Sequence, residues 1–433
     1  MKKQLFALPA LLLCLTGSAL AQNLKPITQE KATRLVKTLS ADDMMGRASF
    51  TPGAEKAAEF IAAEFQKSKL KPLPGKDSFK QTFTLYRITP KTFEVKINGE
   101  TIAAEHVFAS TPHKTLQWEA NNSHSIIVVG ENDDAREGLT GANRMQKDVL
   151  VLVHPKHAST FANYQRYLRR GNMVQEAGKG SSKVFVLTDK AQPQSYAVQV
   201  ESNVEELQLT NLVGMIEGKR KDEFVVFSGH YDHIGIQKSV AGDSIANGAD
   251  DDASGTAAMM LLADFYKKQP KPERTLLFVA FAAEEIGGYG SRYFSEQLNP
   301  DQIVAMFNIE MVGKPSKFGP NSAYLTGFDK SDLGALMQKR LKGTNYSIHP
   351  DPYPQQNLFY RSDNATLARL GVPAHTISSV QIDQDKTYHT VKDEFEMLDM
   401  AHLTSMIKGI ALGSYDVVFG KATPTRVDKA QVQ

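Results

Sequence analysis

The 433-residue sequence predicts an α/β fold: a mainly parallel, mixed sheet covered by helices on both faces, with an inserted strand-rich accessory domain. Three observations carry this reading. Beyond Leu212, near-continuous apolar runs alternate with helical patterns, as strands buried on both faces require. Between residues 86 and 205 the texture changes to short strand-like runs separated by polar stretches. The apolar runs after Leu212 also end, one after another, in His, Asp or Glu, and ligands of such sheets gather outside the carboxyl ends of the strands.

Two amphipathic helices come first. ITQEKATRLVKTLS places Ala32, Leu35, Val36 and Leu39 at helical spacing, and AEKAAEFIAAEFQKS does the same with Ala57, Ile61 and Phe65. The Pro and Gly of LKPLPGKD, residues 70–77, then break the pattern. In the insert, FEVKI, SIIVV, DVLVLV and KVFVLT read as strands, Trp118 needs no cofactor reading, and no residue cluster points to chemistry. EFVVFS follows as a strand, then ASGTAAMMLLADFYKK as a helix with Met259 and Met260 at core spacing, and TLLFVAFAA as a second strand. A helix around GSRYFSEQL, the strand IVAMFNIEMV, the helix SDLGALMQKRLK and the strand AHTISS complete the alternation. The boundaries expected are a leader over 1–21, the main domain over 22–85 and 206–425, the insert over 86–205 and a tail over 426–433.

The leader, MKKQLFALPALLLCLTGSALA, sets Lys2 and Lys3 before an apolar stretch and ends in Ala19-Leu20-Ala21, the small-x-small pattern of a cleaved signal peptide. Maturation before Gln22 implies an exported protein, periplasmic or extracellular. The apolar run is shorter than the ~20 residues a span needs, so no transmembrane segment is expected. Cys14, the single cysteine, lies in this leader, and the mature chain then has no thiol nucleophile, disulfide or thiolate metal site. Any metal must rest on His, Asp and Glu. Lys plus Arg number 50 against 48 Asp plus Glu, and removing Lys2 and Lys3 leaves 48 against 48. Such balance argues against nucleic acid or an anionic membrane as the main partner. Nothing in the sequence sets the oligomeric state.

Chemistry concentrates at the strand ends. EFVVFS leads into GHYDHIG, with His230, Asp232 and His233; GADDDASG holds Asp250, Asp251 and Asp252; TLLFVAFAA runs into Glu284 and Glu285; MFNI into Glu310; and KTYHTVKDE offers Tyr388 and His389. Each alone has a plain structural reading, such as a satisfied strand-end histidine or an Asp run capping a helix. Together they form an N/O donor set suited to zinc, less readily to cobalt or manganese, with carboxylates enough for two ions.

In order and spacing, GHYDHIG, NGADDDASG, AAEEIGGYGS, NIEMVG and YHTVKDEFEML resemble the successive motifs of the M28 zinc aminopeptidase family. LSADDMMGRASFTPGAEKAAEFIA resembles the family's N-terminal segment. The resemblance implies the zinc aminopeptidase/phosphorylase-hydrolase-like fold and a zinc-dependent exopeptidase acting on peptide substrates, with two Zn2+ and Co2+ or Mn2+ as substitutes. It implies that His230 and Glu310 hold one zinc, that Glu285 and His389 hold the other, and that Asp251 bridges them and is often followed by a cis peptide. It makes Glu284 the general base, turns Tyr388 towards the oxyanion, and has Asp232 orient His230 without touching metal. The last role has a physical basis, because a metal-bound imidazole normally gives its other N–H to a carboxylate. Strand positions i and i+2 share a face while i+3 points away, so His233 is expected to leave the zinc alone.

Glu310 stands where most relatives have Asp, which lengthens that ligand's reach. QQNLFYRSDNATLARLGVPAH resembles the segment near the substrate pocket and sets Phe359, Arg361, Ser362, Asp363 and Asn364 at the amino-terminal binding site; the structural alternative makes Phe359 and Leu367 core and Asp363 a helix cap. The insert stands where many relatives carry a protease-associated domain, which it matches weakly. Carboxypeptidase or dipeptidase action is the alternative on this scaffold. His230 argues against glutaminyl cyclase chemistry, and the filled ligand positions argue against a metal-free, receptor-like binding module.

Overall fold

The computed structural model describes residues 24–120 and 124–432, so the leader and Cys14 lie outside the described residues. These residues form two compact units, one of residues 24–82 and 209–432 and the other Phe83–Gln208. Among the described residues, no helix is long and apolar enough to cross a membrane.

The larger unit opens with α1 (Gln29–Leu39) and α2 (Pro52–Lys67). The Thr28 side chain accepts from the Lys31 amide, satisfying one of the unpaired N–H groups of the first turn of α1. Ala32, Leu35, Val36 and Leu39 are buried on α1, and Ala57, Ile61 and Phe65 on α2, as the spacing predicts.

The sheet of this unit uses β1 (Tyr196–Ile216), β2 (Arg220–His230), β3 (Arg274–Phe281), β4 (Ile303–Ile309), β5 (Ser322–Leu325), β6 (Ser347–Pro350) and β7 (Ala374–Ser378). Their order is β6-β5-β7-β4-β2-β3-β1, and β1 begins in the other unit. β2 pairs in parallel with β3 and β4, as do β4 with β7 and β5 with β6, while β5–β7 and β1–β3 are antiparallel.

Strand alternation sends successive side chains to opposite faces. On one face Phe227, Phe278 and Phe307 are register partners on β2, β3 and β4. Their rings stack at 5.5 and 5.1 Å, and Tyr266 of α3 (Gly255–Lys267) meets Phe227 at 5.4 Å. Each such pair contributes ~0.5–1.5 kcal/mol beyond its buried area. On the other face Val226, Leu277 and Met306 pack with Phe294 of α4 (Tyr289–Glu296) and Leu367 of α6 (Asn364–Arg369); α5 is Leu333–Leu341. This register also aligns the strand ends. His230 pairs with Phe281 and Ser228 with Asn308, so the chain leaves β2, β3 and β4 along one edge.

A long helix of this unit escaped the sequence reading. α7 (Met400–Gly413) is buried along most of its length, and a helix apolar on all sides shows no 3.6-residue stripe. Residues 426–432 lie on the main body: the Val427 amide donates to the Gly371 carbonyl and Arg426 Nη1 to that of Ile303.

The second unit combines strands with helices that the sequence reading did not mark. Its strands 107–110, 183–187, 149–153 and 125–129 form a sheet in that order, with 125–129/149–153 and 149–153/183–187 parallel. Parallel neighbours need a crossover, and Ala135–Arg144 and Ala158–Leu168 supply it as helices. The first buries only Ala135, Leu139 and Ala142, which made AREGLTGANR read as a polar stretch. Trp118 is buried and stacks on His124 at 4.3 Å.

His375 on β7 is buried, with Nδ1 donating to the Thr326 carbonyl at 2.8 Å and Nε2 accepting from Ser331 Oγ at 2.7 Å. Both ring nitrogens are therefore satisfied in the neutral form. Burial lowers the pKa from 6.5 to about 4. Below pH ~6.5 the unfolded chain takes up a proton that the folded chain refuses, so this stability is complete above ~6.5 and falls as the pH drops towards 4. The expected loss is on the order of 3 kcal/mol. With both proteins stripped of metal, the Tm of the wild type should fall more steeply than that of His375→Asn between about pH 7 and about pH 4.5. Parallel profiles would contradict a buried neutral imidazole.

Candidate metal centre

His230 is the last residue of β2. Its Nδ1 donates to the Asp232 main-chain oxygen at 3.1 Å, which turns Nε2 towards Asp251 Oδ1 at 3.2 Å. This corrects the role expected of Asp232. Its carboxylate stands 3.9 Å from the ring and instead accepts from the amides of Glu284 and Glu285, at 3.1 and 3.4 Å, and from Ser49 Oγ at 3.1 Å. Asp232 thus orients His230 through its carbonyl and ties the end of β2 to the loop after β3.

The three aspartates before α3 have separate fates. Asp250 Oδ1 accepts from the Gly313 amide at 2.8 Å, and Asp252 accepts from the amides of His230, Gly255 and Met311. Asp251 alone faces the histidines: Oδ1 towards His230, and Oδ2 towards His389 Nε2 at 3.3 Å and His233 Nδ1 at 3.7 Å. The Asp251–Asp252 peptide is cis. Beyond β3, Glu285 Oε2 lies 3.0 Å from His389 Nε2. Glu310 follows directly on β4 and shares a group with His230 and Asp251.

His233 overturns the alternation argument. β2 ends at His230 and residues 231–234 are not strand, so position 233 is not bound to the opposite face. The chain returns its buried ring to Glu285, with Nδ1 2.7 Å from Oε1.

The electrostatics divide the carboxylates. Burial raises Glu284 well above the usual range, with Glu310, Asp363 and Glu285 adding to it against His230. Burial likewise pushes Glu310 up to about 7. For Asp251 and Glu285 burial acts upwards, but the neighbouring imidazoles outweigh it and hold both low. His389 is pushed up to about 10: burial opposes its charge, and Asp251 and Glu285 favour it more strongly.

These residues suit a metal. Two donor groups share Asp251: His230, Asp251 and Glu310, and His233, Asp251 and Glu285. His230 Nε2, Asp251 Oδ2 and Glu310 Oε2 are buried without a protein hydrogen-bond partner, an arrangement a cation satisfies. Imidazole and carboxylate without thiolate are ligands that zinc accepts.

The family model of peptidase family M28 matches residues 211–412. A probable zinc metalloprotease of Leptosphaeria maculans is 36% identical over 145 residues, 33% of this chain and 32% of that protein. The chain thus spans about a third of this relative's length. Leucine aminopeptidase 1 of Ajellomyces capsulatus is 29% identical over 302 residues, 64% of this chain and 73% of that protein. The solved aminopeptidase from Aneurinibacillus sp. strain AM-1 shares the fold, with a TM-score of 0.53 and 18% identity over 96% of this chain and 98% of that one.

In the matched region Tyr388 stacks on His389, ring centroids 3.9 Å apart, and its hydroxyl accepts from Arg361 Nη2 at 3.3 Å. Of the segment assigned to substrate, Arg361 and Ser362 line a pocket with Glu310 and Tyr388. Phe359 belongs to the core, and Asn364 bonds the Phe359 and Ala374 carbonyls and Thr376 Oγ1, so neither is free for substrate. Asp363 is buried with both carboxyl oxygens unpartnered, its side chain making no cap, and burial pushes it up to about 6.

Three supporting residues escaped the sequence reading. Arg47 is wholly buried and donates to the carbonyls of Tyr231, Leu39, Asn247 and Gly248, pinning the histidine motif to the aspartate turn. The Gly46-Arg47 pair in the N-terminal motif was the available signal. Asp393 accepts from the amides of Asp250 and Asp251. Lys314 Nζ reaches Asp385 Oδ2 and Thr387 Oγ1, each at 2.6 Å, and Asp385 in turn accepts from the Tyr388 amide, which anchors the turn that presents Tyr388 and His389.

Gly248 lets this packing close. Its φ is +56°, and a Cβ there would stand 2.2 Å from the Asp251 carbonyl and 2.6 Å from the His233 ring. Gly242, at φ +94°, has no atom within 4 Å of such a Cβ. Gly248→Ala should weaken zinc binding by roughly tenfold or more while Gly242→Ala binds as wild type. Calorimetric zinc titration of the stripped proteins measures this, and equal affinities would contradict the packing.

Proposed function

We propose that this protein is an exported dizinc aminopeptidase that removes amino-terminal residues from peptides. The observation that carries the reading is Asp251, whose two oxygens face separate donor groups at the edge where Glu284 also emerges. The names of the Ajellomyces and Aneurinibacillus proteins, both aminopeptidases, support action at the amino terminus. His230 and Glu310 would hold one zinc and His389 and Glu285 the other, with Asp251 common to both. When bound, the pair supplies Lewis acidity that polarises a peptide carbonyl and acidifies water.

The chain's own groups do the rest. Glu284 in its ionised form takes the proton of the attacking water and passes it to the leaving nitrogen, and the burial that raises its pKa strengthens its hold on that proton in between. Arg361 occupies a lone pair of the Tyr388 oxygen, so the phenol keeps its hydrogen for the developing oxyanion. The apolar part of the pocket beside Glu310 is formed by Met311, Leu358, Val380 and Ile382. Three of its hydroxyls are already engaged: Tyr324 donates to the Val380 carbonyl, Ser378 to that of Met311 and Thr376 to Asn364 Oδ1. A substrate side chain entering there can lie against these four apolar residues, with Glu310 and Arg361 at the same pocket.

Purified protein should hydrolyse 4-nitroanilides of apolar amino acids faster than those of charged ones, lose activity to 1,10-phenanthroline and recover it with zinc. Glu284→Gln should lower turnover by roughly 10²–10⁴-fold with zinc content unchanged. Activity that survives prolonged chelation would overturn the reading, and equal cleavage of amino-blocked peptides would move it to carboxypeptidase action.

A further inference from the structure

The proposed centre leaves one buried imidazole unused. His233 lies beside the donors, and its distances separate a ligand from a neighbour of a ligand. Two donors on one tetrahedral zinc, each bonded at ~2.0–2.1 Å, stand about 3.3–3.4 Å apart. His230 Nε2 to Asp251 Oδ1 is 3.2 Å, and His389 Nε2 to Asp251 Oδ2 is 3.3 Å. His389 Nε2 to Glu285 Oε2, at 3.0 Å, is somewhat short of this. His233 Nδ1 to Glu285 Oε1 is 2.7 Å, the length of a charge-assisted hydrogen bond at ~2.7–2.9 Å.

On the dizinc reading, we propose that His233 is a positioning residue that donates from Nδ1 to Glu285 Oε1, so that Glu285 meets its ion through Oε2 alone. The two oxygens of Glu285 are already divided in this way, Oε1 towards His233 and Oε2 towards His389. The ring is held from outside the centre: its main-chain amide donates to the Arg47 carbonyl at 3.3 Å, and its face lies against Gly248. Nε2 is buried without a partner, which places the proton on Nδ1, where it is used. A Glu side chain released from such a contact regains rotamer freedom and can turn both oxygens to one ion.

The test is zinc titration of the metal-stripped full chain against a competing chelator, with Tm of the stripped proteins as the folding control. His233→Asn places an amide nitrogen where Nδ1 stands and keeps the donor, whereas His233→Leu removes it. Both variants should bind as many ions as the wild type, with one affinity lowered about 10–100-fold in His233→Leu and held within about threefold in His233→Asn. Loss of a zinc equivalent in both variants would make His233 a ligand and overturn the proposal. Wild-type affinity in His233→Leu would overturn it as well. Should His233→Leu not fold, His233→Gln, whose amide reaches the Nε2 position instead, should show the same loss. A wild type that binds a single ion would overturn the dizinc reading, while the Leu-to-Asn comparison still decides the role of His233.

Discussion

Asp232, Asp250, Asp251, Asp252, Asp363 and Asp393 are all buried at one edge of a sheet, and their mutual repulsion is the constraint that the rest of the site answers. Buried carboxylates are costly unless hydrogen-bonded or paired. Main-chain amides answer four of them, Asp232, Asp250, Asp252 and Asp393, and these same bonds hold the loops in place. Lys314 adds positive charge 3.6 Å from Asp250 and 3.7 Å from Asp393. Where compensation falls short the proton returns: Asp250 is pushed up to about 7 by burial and the nearby Asp393. Asp251 differs because imidazoles rather than amides surround it, which leaves its oxygens open to a cation.

This arrangement depends on strands that do not slip. A one-residue shift in β2 would turn every side chain to the other face and withdraw His230 from Asp251. Phe227, Phe278 and Phe307, stacked across three strands beneath α3, and the opposite apolar layer under α4 and α6 both penalise such a shift. The core thus sets the position of residues that lie just beyond its last ring.

Much of this was legible in the chain because parallel strands buried on both faces write themselves as unbroken apolar runs, and the polar residue that stops each run marks the functional edge. His230, Glu285 and Glu310 were found in that way, and the ordered motifs singled out Asp251 among three adjacent aspartates. What was missed has equally physical reasons. Strand periodicity ceases at His230, so it could not place His233. Arg47 lies more than 180 residues before its partner Tyr231, and no local pattern reports that a guanidinium will be enclosed by four carbonyls. α7 has no polar face to mark its phase, and the insert's helices bury too few residues to show one. Phe359 and Asn364 share a short segment with Arg361 and Ser362, yet a single turn divides core from pocket.

The donors of the Asp251 centre come from segments as far apart as residues 230 and 389, joined only by the completed sheet. The unfolded chain cannot assemble them, so any ion held there binds the folded state alone. Free ion concentration then becomes a term in folding equilibrium, worth ~2.7 kcal/mol when it stands a hundredfold above Kd. The resistance of this molecule to unfolding is in that sense a property of its surroundings as well as of its sequence.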